Sequence, residues 1–225
     1  MGQGYFVLGN GGAAIQALKA IRVAGYTGEL HQISDDSGRA FNPMVAPYFL
    51  AEKTGWDTCF PFGKNFIEEH QITAHYGDKV VALDADSSTI TTAGGKVFNY
   101  DKCLIATGAR PVIPPIPGLP ESHCALPLRE PQTAQNMLKS LSSASHTLIL
   151  GASFVGVKLA EVFLEKGIRV VLVDIASQVM PQGAHKHAAQ HVEKYISSKG
   201  IDIRLGSSLS RVDDVPEGAI CHFPD

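Results

Sequence analysis

Two stretches of the sequence decide the fold: Tyr5-Phe6-Val7-Leu8-Gly9-Asn10-Gly11-Gly12-Ala13-Ala14 and Thr147-Leu148-Ile149-Leu150-Gly151-Ala152-Ser153-Phe154-Val155-Gly156. Each is a short apolar run, a glycine-rich turn and the start of a segment with helical apolar spacing. A second apolar run follows each stretch and ends in an acid, Asp35 in one case and Asp174 in the other. One such pattern is a weak signal, but two in the order strand, turn, helix, strand and acid predict two dinucleotide-binding βαβ units.

The spacing of small residues in the two turns has a local physical reason. The first glycine, Gly9 or Gly151, permits a tight turn out of the strand, and a small second residue lets the backbone approach a pyrophosphate. The third position, Ala14 or Gly156, must be small so that helix and strand can pack. A pyrophosphate would then lie on the free N–H groups at the positive end of the helix dipole. The alternative, two ordinary strand-to-helix turns, is weaker because the whole pattern occurs twice.

Composition limits the possible functions. The chain has 225 residues, of which 44% are hydrophobic and 18% charged, as in globular proteins. Its formal net charge of −3 leaves no basic surplus for binding nucleic acid, and no apolar run approaches the ~20 residues that span a bilayer. Because the first strand begins close to Met1 with no basic-then-apolar leader, we expect a cytoplasmic protein without a membrane segment.

The spacing of cysteines and histidines predicts no metal site. Four cysteines lie far apart without a C-x-x-C pair, which argues against a disulfide framework or a thiolate metal site: Cys59, Cys103, Cys124 and Cys221. His187 and His191 stand four residues apart on a predicted helix, after His185, and that spacing can bind zinc or nickel. No Glu follows His187 as in zinc proteases, so we interpret these histidines as a solvated helix face.

Turn residues and apolar spacing outline the first part of the chain. They predict a helix over 13–24, an irregular stretch over 37–63 and a buried strand over 102–106. Three strand-like pieces separated by turn residues predict a small antiparallel meander: 79–83, 89–92 and 96–98.

Five prolines from residue 111 to residue 120 make a stiff segment. We place the domain boundary there, with one domain at 1–115 and the other at 116–225. Further on, apolar spacing predicts helices at 131–141, 154–166 (with Val155 on its apolar face) and 185–199, and strands at 201–205, 209–212 and 219–222. The predicted fold class is α/β, with two Rossmann-like (βαβ) dinucleotide-binding domains and a small antiparallel β-meander in each.

In this order, the motifs resemble the N-terminal half of the FAD- and NAD(P)-dependent pyridine nucleotide–disulfide oxidoreductase superfamily. Besides the two glycine-rich turns, Tyr100-Asp101-Lys102-Cys103-Leu104-Ile105-Ala106-Thr107-Gly108-Ala109-Arg110-Pro111 is similar to the family's A-T-G motif. Pro114-Pro115-Ile116-Pro117-Gly118 is similar to its bridge into the NAD domain. The A-T-G motif alone is a weak signal, but the set in this order is specific and covers essentially the whole chain.

The resemblance implies that FAD binds the first domain and NAD the second. The residues implied to hold FAD are Gly9, Gly11, Gly12, Ala13, Ala14, Asp35, Val81, Ala106, Thr107, Gly108 and Arg110, with the adenine near Asp35 and Val81. Those implied to hold NAD are Gly151, Ser153, Phe154, Val155, Gly156 and Asp174. Arg39 is a further flavin-side candidate, although an exposed loop charge is an equally good interpretation. In such proteins hydride passes from nicotinamide to flavin, and the flavin delivers electrons to an acceptor.

Missing redox cysteines indicate the branch of the family. No C-x-x-x-x-C follows Asp35, and Met44 occupies the place of a single redox cysteine before Ala46-Pro47-Tyr48, where a thioether cannot become a thiolate. The chain therefore resembles the cysteine-free, ferredoxin/rubredoxin reductase-like branch, whose partner is an electron-carrier protein or an iron–sulfur subunit. Two alternatives stay open: a non-catalytic nucleotide-binding or scaffolding subunit of a dehydrogenase complex, and a thiol peroxidase relative that uses Cys59.

Three residues in or after the second turn bear on the chemistry. Ser153 replaces the middle glycine, so its Cβ crowds the approach of a phosphate while its hydroxyl could bond a phosphate oxygen. Lys158 stands where many relatives have a Glu near nicotinamide and flavin. As a catalytic candidate it could stabilise a reduced, anionic flavin, or it could pair with Glu161 at i,i+3. Asp174 suits the 2′-hydroxyl of NADH and repels the 2′-phosphate of NADPH, which favours NADH.

The resemblance also predicts what the chain lacks. Family members continue with the rest of the NAD domain, a return segment that completes the FAD domain, and a C-terminal interface domain. We therefore expect a fragment, with a subunit that another chain completes as the alternative, and we expect weak nucleotide binding and little or no activity. Any homo-oligomer would form through those absent regions.

Overall fold

The computed structural model describes residues 3–36 and 38–224, which divide into two compact units. The first unit comprises the described part of 1–42 with Trp56–Arg110, and the second comprises Pro43–Gly55 with 111–224. The segment Pro43–Gly55, which falls within the predicted first domain at 1–115, lies in the second unit, where Leu50 is buried in the core. Which cofactor belongs to which unit stays a prediction. None of the described helices is long and apolar enough to cross a membrane.

Helices and strands alternate along much of the chain. Up to residue 110 the elements are β1 (Tyr5–Leu8), α1 (Gly12–Val23), β2 (Leu30–Ser34), α2 (Ala46–Leu50), a 3-10 turn (Trp56–Cys59), α3 (Phe66–Glu69), β3 (Thr73–Tyr76), β4 (Val80–Asp84), β5 (Thr89–Thr92), β6 (Val97–Asn99) and β7 (Lys102–Ile105). After residue 110 they are α4 (Pro131–Leu141), β8 (His146–Leu150), α5 (Phe154–Glu165), β9 (Arg169–Asp174), α6 (Lys186–Ser198), β10 (Asp202–Leu205), β11 (Arg211–Val215) and β12 (Gly218–His222).

In the first unit, β1 is an inner strand of a parallel sheet with the order β3-β2-β1-β7. This is the 3-2-1-4 order of a doubly wound nucleotide-binding half. Side chains alternate between the two faces of a strand, so β1 contributes to two cores. Val7 packs in the cluster that contains Leu18 of α1, whereas Phe6 and Leu8 pack in the cluster that contains Ile90 of β5. Burial of β1 on both faces explains its unbroken apolar sequence.

The predicted meander is confirmed in the first unit. Strands β4, β5 and β6 form an antiparallel sheet in that order. The pairing of β4 with β5 shifts between Val80 and Ala82, which is a β-bulge. Val81 stands at this bulge and is 59% exposed.

The second unit contains a parallel sheet with the order β10-β9-β8. Helices α5 and α6 contribute Leu159, Phe163 and Ile196 to a core that also contains Leu172 of β9. A separate antiparallel hairpin, β11 and β12, packs through Val212 in a smaller apolar cluster with Leu119 and Ile116. The α/β class with parallel sheets is therefore as the sequence predicted.

Several local predictions were wrong for identifiable reasons. The strand at 102–106 is not buried: Ile105 of β7 is exposed, because within the described chain β7 pairs with β1 on one side. Val155 is exposed as well, because Leu159 and Val162, further along α5, define its buried face. The second meander is a two-stranded hairpin, since 202–205 joins the parallel sheet instead. Strand β3 was missed because its sequence, Thr73–Tyr76, alternates weakly and carries two polar side chains.

Candidate dinucleotide-binding sites

The first glycine-rich turn is built as a cradle. Gly9 has a φ of +116°, and a Cβ there would lie 2.2 Å from the carbonyl oxygen of Ala106, so glycine is required by the protein itself. Gly11 differs, because it has extended backbone and no atom lies within 4 Å of the place a Cβ would take. Ala14 is fully buried against the sheet. The space at Gly11 is thus open to an external group.

The N-terminus of α1, at this turn, has backbone N–H groups that no side chain caps. Gly11 is the N-cap of α1 and no side chain caps the helix there. The first turn of α1, which includes Gly12 and Ala13, contains no acid. An uncapped helix N-terminus presents N–H groups and a positive partial charge, which suits a phosphate.

A buried hydrogen-bond network fixes the shape of the first turn. The Nε2 of Gln32, on β2, donates to the carbonyl oxygen of Gly9 at 2.9 Å and to Oδ1 of Asn10 at 3.0 Å. The hydroxyl of Tyr76, on β3, donates to Oε1 of Gln32 at 3.1 Å. Gln32 is fully buried. The sequence patterns do not predict this role of Gln32, although a glutamine within the apolar run Leu30–Ser34 is a signal for it.

Beside this network lies a cavity of 170 Å³ lined by Asn10, Ile15, Arg39, Phe62 and Tyr76, among others. The guanidinium of Arg39 is held by Asp57 at 2.9 Å and by the carbonyl oxygen of Phe60 at 3.1 Å. Its Nε–H is buried and has no hydrogen-bond partner among the described residues. Arg39 is therefore not a simple exposed loop charge: it places an unsatisfied cationic donor near the first turn, which fits an anionic ligand.

Other predicted flavin-side residues cluster at the end of β7. The N–H of Ala106 donates to the carbonyl oxygen of Leu8 at 2.8 Å and continues the pairing with β1. Thr107 and Gly108 follow, and Gly108 turns the chain with a φ of +73°. Arg110 then reaches Asp35, with Nη2 3.1 Å from Oδ2. The structure thus brings the predicted ribose acid next to a predicted cationic ligand, in an exposed pair.

The second turn repeats the geometry of the first. Gly151 has a φ of +106°, and a Cβ at Gly156 would lie 1.9 Å from the carbonyl oxygen of Gly151. Ser153 is the N-cap of α5, and its hydroxyl accepts the N–H of Gly156 at 3.4 Å. The exposed ring of Phe154 covers Gly183, where a Cβ would lie 2.1 Å from the ring. Ser153 therefore caps the helix in this structure.

Asp174, the acid after the second turn, hydrogen-bonds to the backbone of that turn. Oδ2 of Asp174 accepts the N–H of Ala152 at 2.7 Å, and Oδ1 accepts the N–H of Ala176 at 2.8 Å. Each carboxylate oxygen has a second acceptor site that remains available to a ribose hydroxyl. Asp174 therefore orients the backbone of the turn as well as offering the predicted ribose contact.

Lys158 is engaged within the second unit. Its Nζ lies 2.7 Å from Oε2 of Glu161 and 5.2 Å from the ring centroid of Tyr48, in a cation–π arrangement. The hydrogen bond to Glu161 raises the pKa of Lys158 above its ordinary value, so the side chain is a cation at neutral pH. Tyr48 follows Met44, which is 73% exposed at the place of the redox cysteine.

The sulfur and imidazole candidates belong to neither glycine-rich turn. Cys59 is fully buried and burial raises the pKa of its thiol, which suits a structural residue. The rings of His185 and His187 stack with centroids 5.6 Å apart. Among residues 3–36 and 38–224, the side chains grouped closely enough to hold a metal are those of three other residues: His123, Cys124 and Asp214. Their separation in sequence hid this cluster from spacing arguments.

Comparison with known proteins adds a family match. A family model described as pyridine nucleotide-disulphide oxidoreductase matches residues 4–222. Among curated proteins, the chain is 29% identical over 215 residues to the NADH-dependent phenylglyoxylate dehydrogenase subunit epsilon of Aromatoleum evansii. That match covers 96% of this chain and 51% of the relative, so the chain spans about half the length of the curated relatives it matches.

Solved structures share the fold. A water-forming NADH oxidase from Lactobacillus brevis, bound to NADH, matches with a TM-score of 0.91 at 21% identity, over 98% of this chain and 50% of the other. A ferredoxin reductase from Rhodopseudomonas palustris matches with a TM-score of 0.88 at 22% identity, over 96% of this chain and 54% of the other. At these identities the likeness is one of fold.

Proposed function

Because the chain belongs to the pyridine nucleotide-disulphide oxidoreductase family, we propose that the complete protein is an NADH-dependent flavoprotein reductase. The family match confirms the resemblance indicated by the motifs, and the family and its NADH oxidase and reductase members bind FAD and NAD(H). The proposed reaction moves hydride between NADH and FAD and exchanges electrons with a carrier protein or an iron–sulfur subunit.

One observation carries this proposal, namely that the same cradle is built twice. In both turns the first glycine has a positive φ, and the third small residue packs tightly, as Ala14 and Gly156 do. In both, the backbone at the second position is extended, at Gly11 and at Ser153. A protein that presents two helix N-termini after parallel strands can hold two pyrophosphates.

The residues present fit the two cofactors in different ways. The first unit offers the open space at Gly11, the unpaired donor of Arg39 and the pair of Asp35 with Arg110, which together suit FAD. The second unit offers Asp174, whose negative charge suits a ribose diol and repels a 2′-phosphate, and we therefore propose NADH as the electron donor. When bound, the cofactors supply the hydride and electron transfer, and the protein binds and orients them.

The lack of a redox cysteine supports an external electron partner. Met44 is a thioether and Cys59 is buried with a raised thiol pKa, so neither provides an accessible thiolate. The relative from Aromatoleum evansii is named as a subunit of an NADH-dependent dehydrogenase. We propose an electron-carrier protein or an iron–sulfur subunit as the partner of this chain.

Anaerobic reduction of the purified complete protein tests the proposal. We expect a yellow protein whose flavin absorbance is bleached by NADH. Asp174→Ala should raise the NADH concentration needed for bleaching without loss of FAD, whereas Asp202→Ala, an exposed acid on β10 of the same unit, should behave as wild type. A colourless protein that takes up no added FAD would instead support the non-catalytic subunit. If activity is lost in Cys59→Ser, the thiol-dependent alternative gains support.

We retain Lys158 as the proposed catalytic cation, and its ion pair makes the test specific. Lys158→Met should change the flavin reduction potential and the rate of flavin reduction by NADH. Lys166→Met is the matched control, because Lys166 at the end of α5 also pairs with a glutamate, Glu52. Unaltered potential and rate in Lys158→Met would leave surface pairing with Glu161 as the whole role of Lys158.

A further inference from the structure

A cluster of metal-binding side chains lies in the second unit, outside the two turns. Residues His123 and Cys124 follow the proline-rich segment, and Asp214 stands on β11, about ninety positions further along. One ring nitrogen of His123, the Sγ of Cys124 and a carboxylate oxygen of Asp214 all lie within 4.8 Å of one another. Neither glycine-rich turn contributes to this cluster.

The separations are close to those of a tetrahedral site. With Zn–N near 2.0 Å and Zn–S near 2.3 Å, ligand atoms in such a site lie about 3.3 to 3.6 Å apart. Nδ1 of His123 is 2.5 Å from Oδ2 of Asp214, so these two atoms need to move slightly apart in a metal site. The sulfur of Cys124 needs to move about 1 Å closer to the other two ligand atoms. All three residues are exposed enough for side-chain rotation to supply this adjustment.

The backbone that carries these ligands is held in place. The N–H of Val212, on β11, donates to the carbonyl oxygen of Pro117 at 2.9 Å, and a Cβ at Gly118 would lie 1.9 Å from the carbonyl oxygen of Val212. This close approach fixes the segment before His123 against the strand that bears Asp214. The ligands are therefore brought together by packing that exists without a metal.

Hydrogen bonds also orient the carboxylate. The Oδ1 of Asp214 accepts the hydroxyl of Ser122 at 2.5 Å, and Oδ2 accepts the N–H of His123 at 2.9 Å. The same hydroxyl of Ser122 accepts the N–H of Cys124 at 3.1 Å. Such outer partners orient the ligands of natural metal sites and tune their affinity.

A second thiol lies nearby on the paired strand. In the hairpin, Val212 stands opposite Cys221 and Asp214 opposite Ala219. Residues two apart on a strand share a face, so Cys221 is the diagonal neighbour of Asp214, at roughly 7 to 8 Å between Cα atoms. Cys221 is thus a candidate for a fourth ligand, with water as the alternative.

We propose that His123, Cys124 and Asp214 form a binding site for a divalent transition metal of the zinc class, with a fourth position taken by water or Cys221. Nitrogen, thiolate and carboxylate ligands suit zinc, whereas calcium and magnesium require oxygen ligands. A neutral imidazole, a thiolate and a carboxylate supply two negative charges to the cation. The metal would link the segment after the prolines to the hairpin.

Cobalt substitution tests the proposal on the complete protein after treatment with a chelator and a reducing agent. Added Co²⁺ should give a thiolate-to-cobalt charge-transfer band, seen in difference spectra that remove the flavin absorbance, and Zn²⁺ should displace it. The band should disappear in Cys124→Ser. Asp214→Asn should weaken Co²⁺ binding at least about tenfold, because loss of a residue that only supports a ligand already costs about 10- to 100-fold in metal affinity. A loss of band intensity in Cys221→Ser would identify Cys221 as the fourth ligand.

The control must separate this cluster from the histidines of α6. His187→Gln removes a histidine at helical spacing from His191 and should leave the charge-transfer band unchanged. Circular dichroism and thermal melting show whether each variant is folded, and Asp214→Asn provides a second route if Cys124→Ser is not. Absence of the band, its survival in Cys124→Ser, or loss of metal binding in His187→Gln would overturn the proposal.

Discussion

Replacing Gly11 by alanine should separate nucleotide binding from folding. The backbone at Gly11 is extended, with a φ of −88°, and nothing in the protein lies within 4 Å of the added Cβ. Restricting the unfolded chain favours alanine by about 0.4 to 1 kcal/mol, while alanine is a poorer N-cap than glycine by an amount of similar order. Because the two effects oppose each other, the free energy of unfolding should change by less than about 1 kcal/mol.

The effect on FAD should be much larger. The Cβ of Gly11→Ala occupies the space through which a pyrophosphate would approach the N–H groups of the turn. Loss of one hydrogen bond to a charged group costs about 1.5 to 3 kcal/mol, which corresponds to an increase of about 10- to 140-fold in the dissociation constant. Fluorescence titration of the apoprotein with FAD measures this change, and urea denaturation of the apoprotein measures stability.

Two matched variants define the result. Gly55→Ala also meets open space and belongs to neither turn, so both FAD affinity and stability should be kept. Gly9→Ala forces a Cβ to within 2.2 Å of the carbonyl oxygen of Ala106 at a positive φ, so the fold itself should be destabilised. If Gly11→Ala binds FAD as tightly as wild type, the assignment of the first turn to a pyrophosphate is wrong.

Three further predictions concern stability. Gly156→Ala should lower the free energy of unfolding by at least about 1 to 3 kcal/mol in urea denaturation, because the new Cβ would lie 1.9 Å from the backbone oxygen of Gly151. Gln32→Leu should cost about 1 to 3 kcal/mol in the same assay, because it removes the donor to the buried carbonyl oxygen of Gly9 and to the buried Oδ1 of Asn10. Burial lowers the pKa of His75 below its ordinary 6.5, so the unfolded state binds more protons. The contribution of His75 to the free energy of unfolding should be complete above pH 6.5 and should be lost as the pH falls through the folded-state pKa. His75→Gln should remove this pH dependence.

Controls make these predictions specific. The nearest atoms that Gly183→Ala meets belong to the exposed ring of Phe154, which can rotate away, so its loss of stability should be smaller than that of Gly156→Ala. Gln132→Leu removes an exposed hydrogen bond to Asn136 and should change stability by less than about 0.5 kcal/mol. Equal losses within either pair would contradict the packing or hydrogen-bond argument, and an unchanged pH profile in His75→Gln would contradict the titration argument.

The sequence predicted well those features that depend on neighbouring residues. Helix α4 has the predicted bounds, and the meander β4, β5 and β6 appears where turn residues separate apolar pieces. Predictions that depend on distant partners did less well. Ile105 of β7 is exposed and Val155 faces outward, because burial of a strand or a helix face depends on what packs against it. The position of Leu50 in the second unit's core has the same cause.

By itself, the sequence determined the family and the position of the two turns, because a glycine-rich turn and the helix after it depend on residues that are close to one another in the sequence. Only the tertiary structure showed that Gln32 holds the first turn, that Asp35 meets Arg110, and that Asp174 accepts the N–H of Ala152. It alone assembled the cluster of His123, Cys124 and Asp214. Such contacts join residues on different elements, and the packing of those elements, which spacing along the sequence does not encode, decides which side chains meet.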